Sequence, residues 1–126
     1  MEESRRAVKE QFVERFRQRT KQLALDVIRF SMDLPKTEEA TIMKRQLLRS
    51  ATSVAANYRA ACRARSSAEF YSEISIVIEE ADETLFWLEL LSESGTTTET
   101  KVAGLKKEVT EILSVMAKAR SNTTRN

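Results

Sequence analysis

An all-α fold, an up-down-up-down antiparallel four-helix bundle, is what this sequence predicts, and three observations carry the prediction. The 126 residues include only two glycines and one proline, too few turn formers for a many-stranded fold. The strong helix formers Ala, Leu, Glu, Lys and Arg are abundant. Apolar residues recur at alternating steps of three and four along four successive stretches, the spacing that lines up one face of a helix. The length is one domain's worth and enough to bury a core. Residues 1–126 are therefore read as a single domain.

The first helix is expected over about residues 5–33. Phe16, Thr20, Leu23, Val27, Phe30 and Leu34 form its stripe, with Phe12 extending it toward the start. Pro35 ends it, because proline disfavours α geometry at Leu34 and lacks a backbone donor. The second helix, about 38–65, opens on Thr37 as N-cap, with Glu38 and Glu39 in the first turn where the helix dipole favours them. Its core stripe is Met43, Leu47, Ser50, Val54, Tyr58 and Ala61.

Ser66-Ser67-Ala68-Glu69 reads as a capping box for the third helix, about 67–94. The preceding turn is so short that the second and third helices must be antiparallel neighbours. Phe70, Ile74, Val77, Ile78, Ala81, Leu85 and Leu88 make the third stripe. Gly95 suits the left-handed residue that ends a helix. Thr96 with Glu99 reads as a second capping box, opening a fourth helix over about 99–120 with Val102, Leu105, Val109, Ile112 and Met116 on its stripe. The polar S-N-T-T-R-N tail is expected to fray.

The net charge of +2 conceals an asymmetry. Residues 1–65 carry fifteen Lys and Arg against eight Asp and Glu, whereas residues 66–126 carry six against eleven. Packing of the halves would neutralise part of this, and any basic surface left over would attract polyanions. Cys62 is the only cysteine and histidine is absent, so neither an intramolecular disulfide nor a Cys/His metal site is expected. The N-terminal M-E-E-S-R-R has no apolar signal region, and no apolar run reaches transmembrane length. A cytoplasmic protein without a membrane partner is the expectation.

Catalysis finds little support. Glu73, Glu79, Glu80, Glu83 and Glu89 invite a carboxylate metal reading, but bundle di-metal sites also use histidine. Cys62, Ser50 and Ser53 have no base to activate them. No catalytic residue, cofactor or metal is expected, and the protein is read as a non-enzyme.

Three surface features remain. At about 100° per residue, Arg45, Thr52, Arg59 and Arg63 fall on one outward strip of the second helix, with Arg65 closing it. Guanidiniums so arrayed suit phosphate contacts, since each can fork onto two oxygens. A solvated face, or one paired with a neighbour's carboxylates, is the alternative. Gln46, Arg49, Ser53 and Asn57 form another strip, read as a structural polar network, with Glu80 or Glu83 as acceptors for Arg49. Ile76, Phe86, Trp87 and Leu90 project from the side of the third helix opposite its stripe, and such patches mark contacts between proteins. Coverage by the start of the first helix or by the C-terminal tail is the alternative to self-association.

The run Q-L-L-R-S-A-T-S-V-A-A-N at 46–57, followed by S-S-A-E-F at 66–70, resembles the small bacterial four-helix-bundle proteins encoded in intervening sequences of large-subunit ribosomal RNA genes. The resemblance covers about residues 12–118, with Gln46, Arg49, Ser50, Ser53 and Asn57 as its core motif. E-E-A-D-E-T-L-F-W-L-E-L-L at 79–91 looks like the matching third helix. Where many members turn with an Ile-Ala-Glu-Gly type segment, this chain continues Y-R-A-A-C-R-A-R at 58–65. The resemblance implies a four-helix bundle assembled as a homo-oligomer, a ring-like pentamer in several members. A related protein, the accessory variability determinant of diversity-generating retroelements, binds nucleic acid and a reverse transcriptase through a basic pentameric barrel. RNA or DNA, and a protein partner such as a reverse transcriptase, are the partners this implies. The rival expectation is a protein-interaction scaffold or accessory subunit that does not itself bind nucleic acid.

Overall fold

The computed structural model describes residues 2–123, and among them the chain forms α1 (Glu2–Ser31), α2 (Glu38–Ala61), α3 (Ser67–Glu93) and α4 (Glu99–Ser121). Each helix packs on the next in sequence, and α1 returns against α4 to close a bundle. The α2–α3 contact is the most extensive and the α1–α4 contact the least. The expected stripes meet on the bundle axis: Leu23, Val27, Leu47, Val54, Ile74, Val77, Leu88, Val109, Ile112 and Met116 are almost wholly buried. Burying each such side chain contributes roughly 1.5–3 kcal/mol. Phe12, Phe30, Phe70, Ile78, Leu85 and Leu105 pack at the margin of this core rather than within it.

The helix ends depart from the expected boundaries, for local reasons. α1 begins at Glu2 rather than near Arg5 and stops at Ser31 rather than at Asp33. Met32, Asp33 and Leu34 each donate to the carbonyl three residues back, so the chain tightens into a 3₁₀-like turn before Pro35. α2 ends at Ala61, four residues short of the expected Arg65. There Arg63 donates to the Ala60 carbonyl and Ala64 to that of Ala61, again a tightened turn, so Arg63 and Arg65 lie outside the helix. α4 runs to Ser121 with Asn122 as its cap, and the Thr123 hydroxyl donates to the Ala119 carbonyl. Of the tail expected to fray, residues 124–126 lie outside the described residues.

Two of the three expected N-cap residues accept an amide hydrogen bond, although the Glu69 carboxylate of the Ser66 box pairs with Arg65. The Thr37 hydroxyl accepts from the Ala40 amide and Ser66 from the Glu69 amide. The third differs: α4 is opened by Thr98, with no side-chain cap bond. Thr96 instead pairs its hydroxyl with that of Ser94 at 2.8 Å, and Glu99 takes the Lys106 ammonium at 2.8 Å. The cause lies in how α3 ends. Gly95 adopts φ 76°, its amide donates to the Ser92 carbonyl and the Thr96 amide to that of Leu91. These are the two bonds of a Schellman closure. That closure engages the Thr96 backbone in finishing α3, and the following helix starts at Glu99 with Thr98 as its N-cap.

Candidate functional site

The three features read from the sequence meet different fates in the fold. Arg45 and Arg59 lie on the exposed face of α2 as expected, and Arg63 is exposed in the turn beyond it. Among the described residues none of the three has an ion-pair partner within its own chain. Arg65 is 89% exposed and reaches only Glu69, at 3.6 Å, a contact worth little in water. The helical part of the expected strip ends with α2 at Ala61, so Arg63 and Arg65 leave it. Arg45 is fourteen residues from Arg59, roughly 21 Å along the helix at 1.5 Å per residue, and it stands toward the opposite end of the bundle.

What gathers instead is the end where α1 begins and α2 closes into α3. Antiparallel packing brings the start of α1 beside the α2–α3 turn, and Lys9 and Arg65 line one cleft there. Arg5, Arg6, Lys9, Arg59, Arg63 and Arg65 thus belong to one end of the molecule, where only Arg65 finds a carboxylate among the described residues. Sequence reasoning missed the α1 contribution because it followed periodicity along one helix. The cluster depends on the start of α1 lying beside the end of α2.

The polar strip of α2 divides in two. Arg49 donates from Nε to the Gln46 side-chain amide oxygen at 3.1 Å, to Glu80 at 3.0 Å and also to Glu83. Trp87 donates its indole N–H to the same Glu83 carboxylate at 3.2 Å. Arg49 is 49% exposed while the Glu80 side chain is 16% exposed, so the clamp lies over the helix seam rather than within it. Ser53 and Asn57 take no part in this clamp: Asn57 donates to the Ser53 hydroxyl at 2.8 Å and to its carbonyl at 2.9 Å, a bond local to α2. The inner polar link between α2 and α3 is Thr84 with Ser50, whose hydroxyl oxygens lie 3.0 Å apart in the core. Ser50 on an apolar stripe was the signal that a partner had to exist.

A second clamp joins α1 to α4. Arg19 donates to Glu108 through two bonds of 2.7 Å and also to Glu111. Hydrogen bonding to Glu108 raises the Arg19 guanidinium further above its ordinary range, with Glu111 adding to the effect against burial. The two clamps join residues of the basic half to residues of the acidic half, which is how part of the charge asymmetry is neutralised.

Among the described residues, the surplus apolar side chains of α3 stay partly exposed. Ile76 is 40% exposed, Phe86 49% and Leu90 37%. Trp87 differs from them, packing partly against the core with its ring 4.9 Å from that of Phe86 in an edge-on arrangement. The start of α1 does not reach this patch. Residues 2–11 are all exposed, and α1 packs on α2 and α4 rather than on α3.

Among the described residues, no group of three His, Cys, Asp or Glu side chains is arranged to hold a metal ion. No helix there is long and apolar enough to cross a membrane.

Comparison with known proteins places these features in context. A family model described as 23S rRNA-intervening sequence protein matches residues 15–118. Among solved structures, one described as a protein of unknown function from the S23 ribosomal protein family of Bacteroides thetaiotaomicron is 30% identical with a TM-score of 0.77. The match covers 82% of this chain and 96% of that one. No curated protein matches.

Proposed function

The chain belongs to the 23S rRNA-intervening sequence protein family, and from that premise we propose that it is a non-enzymatic, self-associating four-helix bundle that binds nucleic acid through its basic end. The observation that carries this reading is the set of basic side chains left without a carboxylate once the bundle has formed. The fold pairs Arg19 and Arg49 with acids of the other half but leaves Arg59 and Arg63 facing solvent. Guanidiniums free of acids are the groups that exchange counterions for phosphates. Self-association is supported by Ile76, Phe86 and Leu90, three large apolar side chains on one helix that stay substantially exposed among the described residues. Repetition of the basic end in an oligomer would convert weak phosphate contacts into avidity.

The test is fluorescence anisotropy with labelled single-stranded RNA, hairpin RNA and duplex DNA over a salt series. Light scattering accompanies it to give the subunit number. Binding is expected to weaken steeply with salt. Combining Arg59→Glu with Arg63→Glu should abolish it at unchanged helicity and oligomer size, consistent with a loss of about one unit of salt slope per phosphate contact. Wild-type protein that binds none of the three probes at low ionic strength overturns the reading in favour of a scaffold. Full binding by the double variant removes Arg59 and Arg63 from the site.

A further inference from the structure

At the basic end the bundle is not filled. Between the start of α1, the end of α4 and the α2–α3 turn lies a cleft of about 770 Å³, within the roughly 300–1,000 Å³ typical of ligand sites. Its floor is apolar and buried, made by Tyr58, Ile74 and Met116. Two aromatic side chains, Phe12 from α1 and Phe70 from α3, are partly exposed at its walls. The mouth is polar: Lys9 and Arg65 are cationic, and Asn122 supplies an amide able both to donate and to accept hydrogen bonds. Among the described residues no Asp or Glu lines it. The nearby Glu69 carboxylate reaches the solvent-exposed Arg65 guanidinium at 3.6 Å.

We propose that this cleft takes one unstacked base of a single-stranded nucleic acid. The flanking phosphates lie against Lys9 and Arg65, and the base enters between Phe12 and Phe70. The inference rests on the reading of this end as a nucleic-acid face and deepens it from polyanion to single strand. Three features favour a nucleotide over a purely apolar guest. Cations at the mouth match a phosphate, aromatic walls match a base of any identity, and Asn122 can meet the donors and acceptors on a base edge. The base of a duplex is stacked and paired, so it cannot enter without first being extruded. A strand whose bases are already splayed meets no such cost. Arg59 and Arg63, at the same end, would continue the phosphate path away from the cleft.

Cys62 lines the cleft and is the chain's only cysteine, which makes it an internal reporter. The experiment measures its modification by iodoacetamide, a neutral reagent, in the intact protein at low salt. The protein is alone, saturated with a 12-nucleotide single-stranded RNA, saturated with a 12-base-pair duplex, or mixed with adenosine monophosphate. The single strand is expected to slow modification by about tenfold, equivalent to roughly 1.4 kcal/mol, and the duplex to leave it nearly unchanged. Protection by the monophosphate alone would assign the cleft to free nucleotides and overturn the strand assignment only if the single strand gave none. Ala119→Trp, which fills the cleft from α4, should weaken single-strand binding about tenfold while duplex binding stays as in the wild type. If that variant does not fold, the protection experiment on the wild type still decides. Single-strand binding without protection of Cys62 overturns this inference and leaves the proposed function standing. Failure to bind any nucleic acid overturns both.

Discussion

Between α2 and α3 the polar contact lies inside the fold: Ser50 and Thr84 are fully buried and bonded to each other, with the Arg49 clamp laid over them at the surface. Between α1 and α4 the polar contact is Arg19 on Glu108 and Glu111, itself near the surface, and beyond it the two helices part to leave the cleft. One seam is closed by buried, mutually bonded side chains; the other is latched at the surface and open at its end. In a close-packed interior every atom added must displace another, whereas an open seam has room to accept a guest. The bundle is thus filled along the middle of the α2–α3 seam and open at the end where α1 and α4 meet the α2–α3 turn.

The sharpest way to test that contrast is to enlarge a small side chain on each side. Ser50→Leu should destabilise the fold by about 3 kcal/mol, since overpacking a filled core costs roughly 1–3 kcal/mol and a hydroxyl partner is lost as well. Ala119→Leu, at the cleft, should stay within about 0.5 kcal/mol of the wild type. Urea midpoints at constant m value would show the difference, and equal losses at both sites would erase the distinction between the seams.

A smaller effect is expected at the two clamps. Arg49→Ala leaves the largely buried Glu80 without its partner and should cost about 1 kcal/mol, far below the 3–5 kcal/mol of a fully buried pair, because water screens the exposed guanidinium. Arg19→Ala should cost about 0.5–1 kcal/mol by the same reasoning. Denaturation in added salt should narrow both losses. A loss from Arg49→Ala as large as that from Ser50→Leu would mean that the surface clamp, not the buried pair, seals the α2–α3 seam.

The smallest effect concerns pH. Burial, reinforced by the neighbouring Cys62, pushes the Tyr58 phenol above its ordinary value. The native state therefore keeps that proton after the unfolded chain has lost it, near pH 10. Stability from this group is complete below about pH 10 and is lost as pH rises further. Tyr58→Phe should lose less melting temperature than the wild type between about pH 9.5 and 11. Identical slopes would place the phenol in water, and the cleft floor with it.

Most of the architecture was legible because helical periodicity, Pro35, Gly95 and the Ser66 cap are local signals. The helix ends were less so. Tightened turns at Met32–Leu34 and Arg63–Ala64 answer to how the chain must enter the next helix, and the Schellman bonds at Gly95 displaced the cap expected at Thr96. Of the site, the pairing of Arg49 with Glu80 and Glu83 could be anticipated from strip geometry, and it formed at the surface. Arg19 with Glu108 could not, because a partner about ninety residues away depends on the rotation of α1 against α4. The cleft was invisible for the same reason: it is a gap between elements, and no residue spells a gap.

The exposed start of α1 carries a further consequence. Residues 2–11 form helix with no buried side chain among them, yet helices shorter than about 12–15 residues barely persist alone in water. Their order is therefore borrowed from the packed remainder of α1 and should decay with distance from it, so that amide protection falls toward the terminus. Lys9 sits on that decaying stretch. A ligand that engages it would steady the helix by restricting chain freedom, and part of its binding free energy would be spent as conformational entropy. Affinity at this mouth then depends on backbone stiffness several residues away, where no atom touches the ligand at all.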